Sequence, residues 1–438
     1  MVSAGAEARA VTRCDALGLP PFSDTADGLY RGYLTPGFAR TQEQVGAWMV
    51  EAGMTARLDA AANLVGRYEG TEPDAPVLMI GSHLDSVRDA GRYDGPLGVM
   101  LGIECVAALR VAGRRMRFPI EVIAFGDEEG SRFPAAMLTS RAVAGTLDPA
   151  ALDVADAEGV TLAEALMHHR HASGRWHLPD ASASAANEAT TAFAGVTAFG
   201  QAARAPGSVL AYLEAHIEQG PALEAEGLAL GIVTGIAAQL RYAVSLTGAA
   251  GHAGTTAMTL RRDALAAAAE AVLAVERIAR DAGGEVVATV GKLDVGPGVA
   301  NVIPGRANFS LDVRAPDDAT RDGVAETVLA EIAAIADRRG IDLAIERVHD
   351  LPASPCDPAL VDLLARAVTA TGQPVRRLAS GAGHDAMAMA ALCPTAMLFI
   401  RCKGGISHNP AESVDPNDVE LAARAMLRFI ELMEETVA

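Results

Sequence analysis

Five histidines, His83, His216, His252, His384 and His408, lie in polar, glycine-rich surroundings beside carboxylates. His83-Leu84-Asp85 follows the apolar run VLMIG. In an extended backbone His83 and Asp85 project to the same side, so the carboxylate can fix the tautomer of the imidazole. Asp94 sits in the loop AGRYDGPLG, which leads into a helical pattern. A satisfied loop histidine and a helix-capping aspartate are the ordinary alternatives for this pair. Asp127-Glu128-Glu129-Gly130 follows a second apolar run. Neighbouring residues there face opposite ways, so one glutamate can ligate a metal while the other holds a water as general base. An isolated acidic triplet is more commonly a solvated turn, but this one repeats the placement of His83 straight after a buried strand. EAHIEQG (214 to 220) and SHNPAE (407 to 412) add His216 and His408. His83, Asp94, Glu129, His216 and His408 together form a nitrogen and oxygen donor set suited to zinc, manganese or cobalt. Five such ligands suffice for two ions if one carboxylate bridges them. A two-metal site would lower the pKa of a water and polarise a carbonyl, with Glu128 taking and returning the proton.

These residues need rigid elements beneath them. Residues 38 to 53 read as an amphipathic helix closed by Gly53, and short strands follow at 64 to 68 and 77 to 81. A helix from Gly98 to Leu109 precedes PIEVIAFG (119 to 126), a continuous apolar strand. Buried strands alternating with helices predict a mostly parallel mixed sheet covered on both faces, with chemistry beyond the carboxyl ends of its strands. From Leu228 to about Arg347 the pattern changes to strands interspersed with helices at 262 to 279 and 319 to 338, a compact α+β insertion. Helices at 358 to 371 and 416 to 436 and a strand at 395 to 400 return to α/β character. The expected organisation is a catalytic domain of residues 1–227 and 348–438 with an inserted domain at 228–347. Residues 168 to 208 carry His168, His169, His171 and His177 and then a small-residue stretch, which reads as a surface excursion whose histidines are solvated.

Composition limits the partners. The chain has 438 residues, 50% apolar and 21% charged, which is the balance of a globular protein with room for more than one core. A net charge of -19, spread along the chain, argues against nucleic acid and anionic membranes and for cationic partners, metal ions included. The longest apolar run, Ala386 to Ile400, is too short to span a bilayer, and no signal core precedes the first helix, so a cytoplasmic protein is expected. Five widely spaced cysteines without a C-x-x-C pair predict reduced, buried thiols. GAGHDA (381 to 386) fits a dinucleotide fingerprint but lacks the βαβ unit with an acidic residue, and no G-x-S-x-G elbow occurs.

Nine blocks in order carry a resemblance: GSHLDSV (81 to 87), GRYDGPLGV (91 to 99), EEGSRF (128 to 133), HIEQGP (216 to 221), GHAGTT (251 to 256), NVIPG (301 to 305), LDVR (311 to 314), SGAGHDA (380 to 386) and GGISHNPAE (404 to 412). The chain resembles the dinuclear-metal amidohydrolases of the superfamily holding aminoacylases, glutamate-releasing carboxypeptidases and peptidase T, and within it the hydantoinase/carbamoylase branch. EEGSRF with HIEQGP separates that branch from the exopeptidases. The resemblance implies a zinc-exopeptidase-like catalytic domain with an inserted lid and dimerisation domain. It implies that Asp94 bridges two divalent ions, zinc or manganese with cobalt admitted. His83 and His216 then complete one site, and Glu129 and His408 the other. Glu128 is implied as general base, and Asp85, beside His83, is counted with it among the catalytic residues. His252 is implied to reach across a homodimer interface and stabilise an oxyanion in the neighbouring subunit. Asn301 and Arg314 are implied as a carboxylate clamp, although Arg314 could instead pair with Asp312 or Asp317. Gln219, Gly383 and His384 are implied as further substrate contacts. The implied substrate is a small ureido acid, with allantoate first, N-carbamoyl-L-amino acids second and 3-ureidopropionate third. TRCDALG near the N-terminus leans toward the allantoate group. An aminoacylase or exopeptidase on the same scaffold, and a silent binding protein that keeps the fold, are the competing readings. One departure stands out, Ala257 where the family has a proline after the two threonines.

Overall fold

Three runs of aliphatic residues with no polar alternation, Val77–His83, Ile120–Phe125 and Thr395–Ile400, form strands buried along their whole length. Such strands require cover on both faces, and they lie at the centre of a mixed sheet. The computed structural model describes residues 6–172 and 199–437. His177 and most of the expected excursion lie outside the described residues, as does the side chain of His171. The chain divides into two compact units, one of residues 1–234, 356–378 and 384–438, the other of 235–355 and 379–383.

In the first unit, Ile120–Phe125, Val77–His83, Val209–Ile217 and Thr395–Ile400 run parallel side by side. Leu64–Tyr68 joins antiparallel on one side, followed by Thr55–Leu58. Leu230–Ile236 joins antiparallel to Thr395–Ile400 on the other. That last pairing draws the strand into the first unit's sheet, and the first unit extends to Thr234. Helices Pro36–Glu51, Pro96–Val111, Pro358–Ala370 and Pro416–Val437 fall within two residues of the patterns that predict them. All four begin at a proline in the first helical turn, where its missing N–H costs nothing.

The histidine-rich stretch departs from expectation. His168 and His169 belong to a helix, Leu162–Ala172, and only His168 is exposed. His169 is buried, with Nε2 2.8 Å from Gln42 Oε1. The Gln42 amide donates to the Ala62 carbonyl at 2.6 Å, which leaves its oxygen to accept from His169.

The second unit is an antiparallel sheet in the order Leu293–Gly296, Arg306–Ala315, Ala238–Thr247, Asp342–Leu351, with Val287–Thr289 also against Arg306–Ala315. Alternate residues of Arg306–Ala315 (Ala307, Phe309, Leu311, Val313) are buried against the helices Ala264–Ala282 and Asp318–Arg339. Asp263 and Asp317 cap these helices by accepting from the backbone of Ala266 at 3.1 Å and Thr320 at 2.9 Å. None of the described helices is long and apolar enough to cross a membrane.

Candidate metal centre

The carboxyl ends of the parallel strands deliver the donor atoms. His83 is the last residue of its strand and pairs in register with Phe125, three residues before Glu128. His216 lies near the end of the adjacent strand, opposite Phe399, and the chain beyond Ile400 leads to His408. Asp94 comes from the loop before the helix Pro96–Val111. At that loop's end Gly95 has φ +84°, and a Cβ there would stand 2.5 Å from the His83 imidazole, so the position needs glycine on both counts. Asp127, Gln219 and His408 also hold left-handed backbone without being glycine, each next to a candidate residue or itself one.

Asp94 is the centre of the arrangement. Its Oδ1 lies 3.1 Å from His216 Nε2 and 3.7 Å from His83 Nε2. Its Oδ2 lies 3.3 Å from His408 Nε2, and His408 Nε2 is 3.5 Å from Glu129 Oε2. Each oxygen of one carboxylate thus serves a separate set, His83 with His216, and His408 with Glu129. Both sets have ligand atoms within 4.8 Å of one another, as do His83, Glu128 and Glu129, and Glu214, His216 and His384. His83 Nδ1 sits 3.1 Å from the Asp85 carbonyl and His216 Nδ1 2.9 Å from the Ile217 carbonyl. Those contacts place a proton on each Nδ1, so each Nε2 is the atom that would be left to hold a cation beside Asp94. Asp85 does more than face His83, since its two oxygens accept from the backbone N–H of Glu128 and of Glu129, both at 3.2 Å. Beneath it the buried Arg31 holds the turn, donating to the Leu84 carbonyl at 2.5 Å.

The electrostatics follow from crowding. Burial alone would lift Asp94, but the facing imidazoles of His216, His408 and His83 hold it well below the usual carboxylate range. Burial lifts Glu128 well above that range, with His83 opposing and Glu129 adding to the rise, and Glu129 is pushed up to about 7 by burial and Asp94. His408, facing Asp94, rises to about 9 despite burial. One atom fits a cation directly: His216 Nε2 is buried, makes no well-formed hydrogen bond and belongs to the set with His83 and Asp94. Three imidazole nitrogens and the Glu129 carboxylate around one shared aspartate fit two divalent ions of borderline hardness.

Not every expected residue joins this cluster. Gln219, expected as a substrate contact, donates its amide to Asp94 Oδ2 at 2.9 Å and to Ser407 Oγ at 3.2 Å, with its oxygen buried and unpaired. His384 is buried with its ring 4.5 Å from that of His216. His252, Asn301, Arg314 and Gly383 belong to the second unit. There the exposed His252 pairs with Val302, next to Asn301, whose carbonyl accepts from Ala253 at 2.9 Å. Arg314 donates from Nε and Nη2 to Asp312 at 2.8 and 3.1 Å and from Nη1 to the Gly381 carbonyl at 2.5 Å. The pairing with Asp312 that the sequence left open is therefore made. Two contributors escaped the sequence reading. Glu214 accepts from Ser82, Tyr212 and the Ala386 backbone N–H behind His216, and Glu412 accepts from the backbone of Tyr93 and Asp94. Their only sequence signal is position, each within four residues of a candidate histidine.

Residues 79–432 match the model of peptidase family M20/M25/M40. An N-carbamoyl-L-amino acid amidohydrolase of Geobacillus stearothermophilus is 43% identical over 403 residues, covering 92% of this chain and 93% of that one. A probable allantoate deiminase of Oryza sativa subsp. japonica is 40% identical over 451 residues, covering 96% and 87%. The crystal structure of a hydantoinase/carbamoylase family amidase from Burkholderia multivorans superposes with a TM-score of 0.86 at 34% identity, covering 98% of this chain and 97% of that one. The chain belongs to peptidase family M20/M25/M40 and groups within it with the hydantoinase/carbamoylase amidases, hydrolases of non-peptide amide C–N bonds.

Proposed function

We propose that this chain hydrolyses the ureido C–N bond of a small carboxylate-bearing substrate, with allantoate as the first choice, yielding ureidoglycine, ammonia and carbon dioxide. The observation that carries the reading is the sharing of Asp94 between two cation-holding sets, with the Glu128 carboxyl 3.9 Å from His83. His83, Asp94 and His216 would hold one divalent ion, and Asp94, Glu129 and His408 the other, with zinc or manganese the best fit to the donors. Such ions supply Lewis acidity toward the ureido carbonyl and a more acidic water. Glu128 removes a proton from that water and returns it to the departing nitrogen, and its raised pKa matches a group that must carry the proton between the two steps. Asp85 keeps Glu128 and Glu129 pointed at their tasks through their backbone N–H groups. Asn301 and Arg314 hold the substrate carboxylate, Gln219, Gly383 and His384 add contacts, and His252 serves the oxyanion in the partner subunit of a homodimer. Five free, buried cysteines suit a reducing cytoplasm.

The relative that is 43% identical favours N-carbamoyl-L-amino acids as the second substrate class. The deciding experiment measures ammonia release from protein loaded with manganese or zinc, on allantoate, N-carbamoyl-L-amino acids, 3-ureidopropionate and N-acetyl amino acids. Turnover of one ureido acid, lost in Glu128→Ala, is expected. Activity confined to N-acetyl compounds would move the chain to the aminoacylases, and two bound ions without any turnover would favour a silent binding protein. Mixing His252→Ala with Glu128→Ala protein should restore part of the activity through hybrid dimers. No recovery after proven subunit exchange removes the role of His252 across the interface.

A further inference from the structure

Glu412 has no place in the chemistry above, yet its carboxylate is buried against the Asp94 loop. Its Oε1 accepts from the backbone N–H of Tyr93 at 2.8 Å and of Asp94 at 3.1 Å. Ser407 Oγ donates its proton to Asp94 Oδ2 at 2.7 Å, and Glu412 Oε2 lies 3.3 Å from the same hydroxyl oxygen. On its own side, Glu412 is fixed by a turn in which its N–H donates to the Asn409 carbonyl at 3.0 Å and Ala411 N–H to the Asn409 side chain at 2.9 Å. One carboxylate therefore ties the loop that presents Asp94 to the loop that presents Ser407 and His408, two segments more than 300 residues apart in sequence. A second feature is built around the same contact. A Cβ on Gly91 would stand 2.1 Å from the Glu412 carboxyl carbon and 2.2 Å from Oε1, so the Asp94 loop has a glycine where the carboxylate must enter.

We infer that Glu412 is a positioning residue for the two-metal centre, holding Asp94 by its backbone and packing beside Ser407, whose hydroxyl sets the Asp94 oxygen on the His408 side. The inference rests on the metal-centre reading given above. A carboxylate that bridges two ions must hold both oxygens in fixed directions, and a short loop between glycines cannot do so alone. Glu412 fixes the height of the loop and Ser407 the rotation of the carboxylate. The glutamate touches no reacting atom, so its effect must appear first in ion binding.

Zinc titration of chelator-stripped full-length protein by calorimetry tests this, with melting curves as a check on folding. The unaltered chain should take up two ions. Glu412→Ala should weaken at least the looser ion about 10- to 100-fold, the range for groups that orient ligands. Glu412→Gln keeps an oxygen for the two N–H groups and should restore most of the affinity. Should Glu412→Ala not fold, Gly91→Ala, which leaves Glu412 in place but fills its entry, should show the same loss. Ser407→Ala should weaken one ion and spare the other. Two ions bound with unaltered affinity by Glu412→Ala or by Gly91→Ala would overturn the inference. An unaltered chain that binds no divalent ion would instead overturn the metal-centre reading, and this inference with it.

Discussion

The two units bury charge in opposite ways. Around Asp94 the first unit crowds His83, His216, His408, Glu128 and Glu129 into one space, and buried Asp127 beside them has no partner for either oxygen. In the second unit Asp312 lies between Arg241 at 2.7 Å and Arg314 at 2.8 Å, and those guanidinium groups hold it below its ordinary range although burial alone would lift it. Buried Arg321 there faces Asp318, Asp322 and Asp350. An unpaired buried charge costs several kcal/mol, whereas a matched one roughly breaks even. These charges of the second unit are thus matched within the chain. The first instead gathers imidazole nitrogens and carboxylate oxygens at one place, an arrangement suited to taking up cations.

The largest expected effect separates chemistry from folding. Glu128→Gln should lower turnover of the preferred ureido acid by about 10²- to 10⁴-fold, as removal of a general base does. It should leave the melting temperature equal or higher, because a buried carboxylate raised by its surroundings is replaced by a neutral group. Retained turnover would take Glu128 out of the mechanism, and a large fall in melting temperature would make it part of the frame.

Metal uptake should act on one unit only. An ion at roughly 1,000 times its Kd stabilises the state that binds it by about 4 kcal/mol. Hydrogen exchange should therefore slow along Val77–His83 and Val209–Ile217 on adding zinc, while Arg306–Ala315 exchanges as before. Equal protection of both units would mean that they do not differ in the way described.

A third test asks what burial does to a histidine when no carboxylate faces it. His169 is buried against Gln42, and desolvation lowers its pKa to about 4. Above pH 6.5 it is neutral whether the chain is folded or not. As the pH falls from 6.5 towards 4, the unfolded chain gains a proton that the fold refuses, so stability is lost across that window, by roughly 3 kcal/mol in all. His169→Gln should flatten this part of the urea stability profile, and an unchanged slope would show that His169 is protonated in the fold.

Strands with unbroken aliphatic runs, and helices opened by proline or aspartate and closed by glycine, were legible because their pattern is local. Val209–Ile217 was not, although it carries His216 and lies at the centre of the sheet. Glu214 and His216 interrupt its apolar run, and only the neighbouring strands supply the partners that make their burial tolerable. The same reason hid His169, whose acceptor Gln42 lies 127 residues away. Of the site, the donor types and their place after strands could be read. The division of Asp94's oxygens between two sets, and the turn of Gln219 toward Asp94, depend on contacts between distant loops.

The smallest expected effect falls on Arg314, where the matched charges around Asp312 meet the proposed carboxylate clamp. Its Nε and Nη2 already serve Asp312, and Nη1 serves the Gly381 carbonyl. A guanidinium so held is rigid, which favours recognition, but it offers substrate only what its partners leave free. Arg314→Lys keeps the charge and loses the fork. If Arg314 holds the substrate carboxylate, KM for the ureido acid should rise about fivefold to tenfold, equivalent to ~1 kcal/mol for one net hydrogen bond, with kcat little changed. If it serves only Asp312, the lysine variant should melt at a lower temperature and show the original KM. Asp312→Asn sharpens the choice, because it weakens the competing partner without touching the arginine. A clamp would then bind substrate as well or better, whereas a purely structural pair would show only the loss of stability.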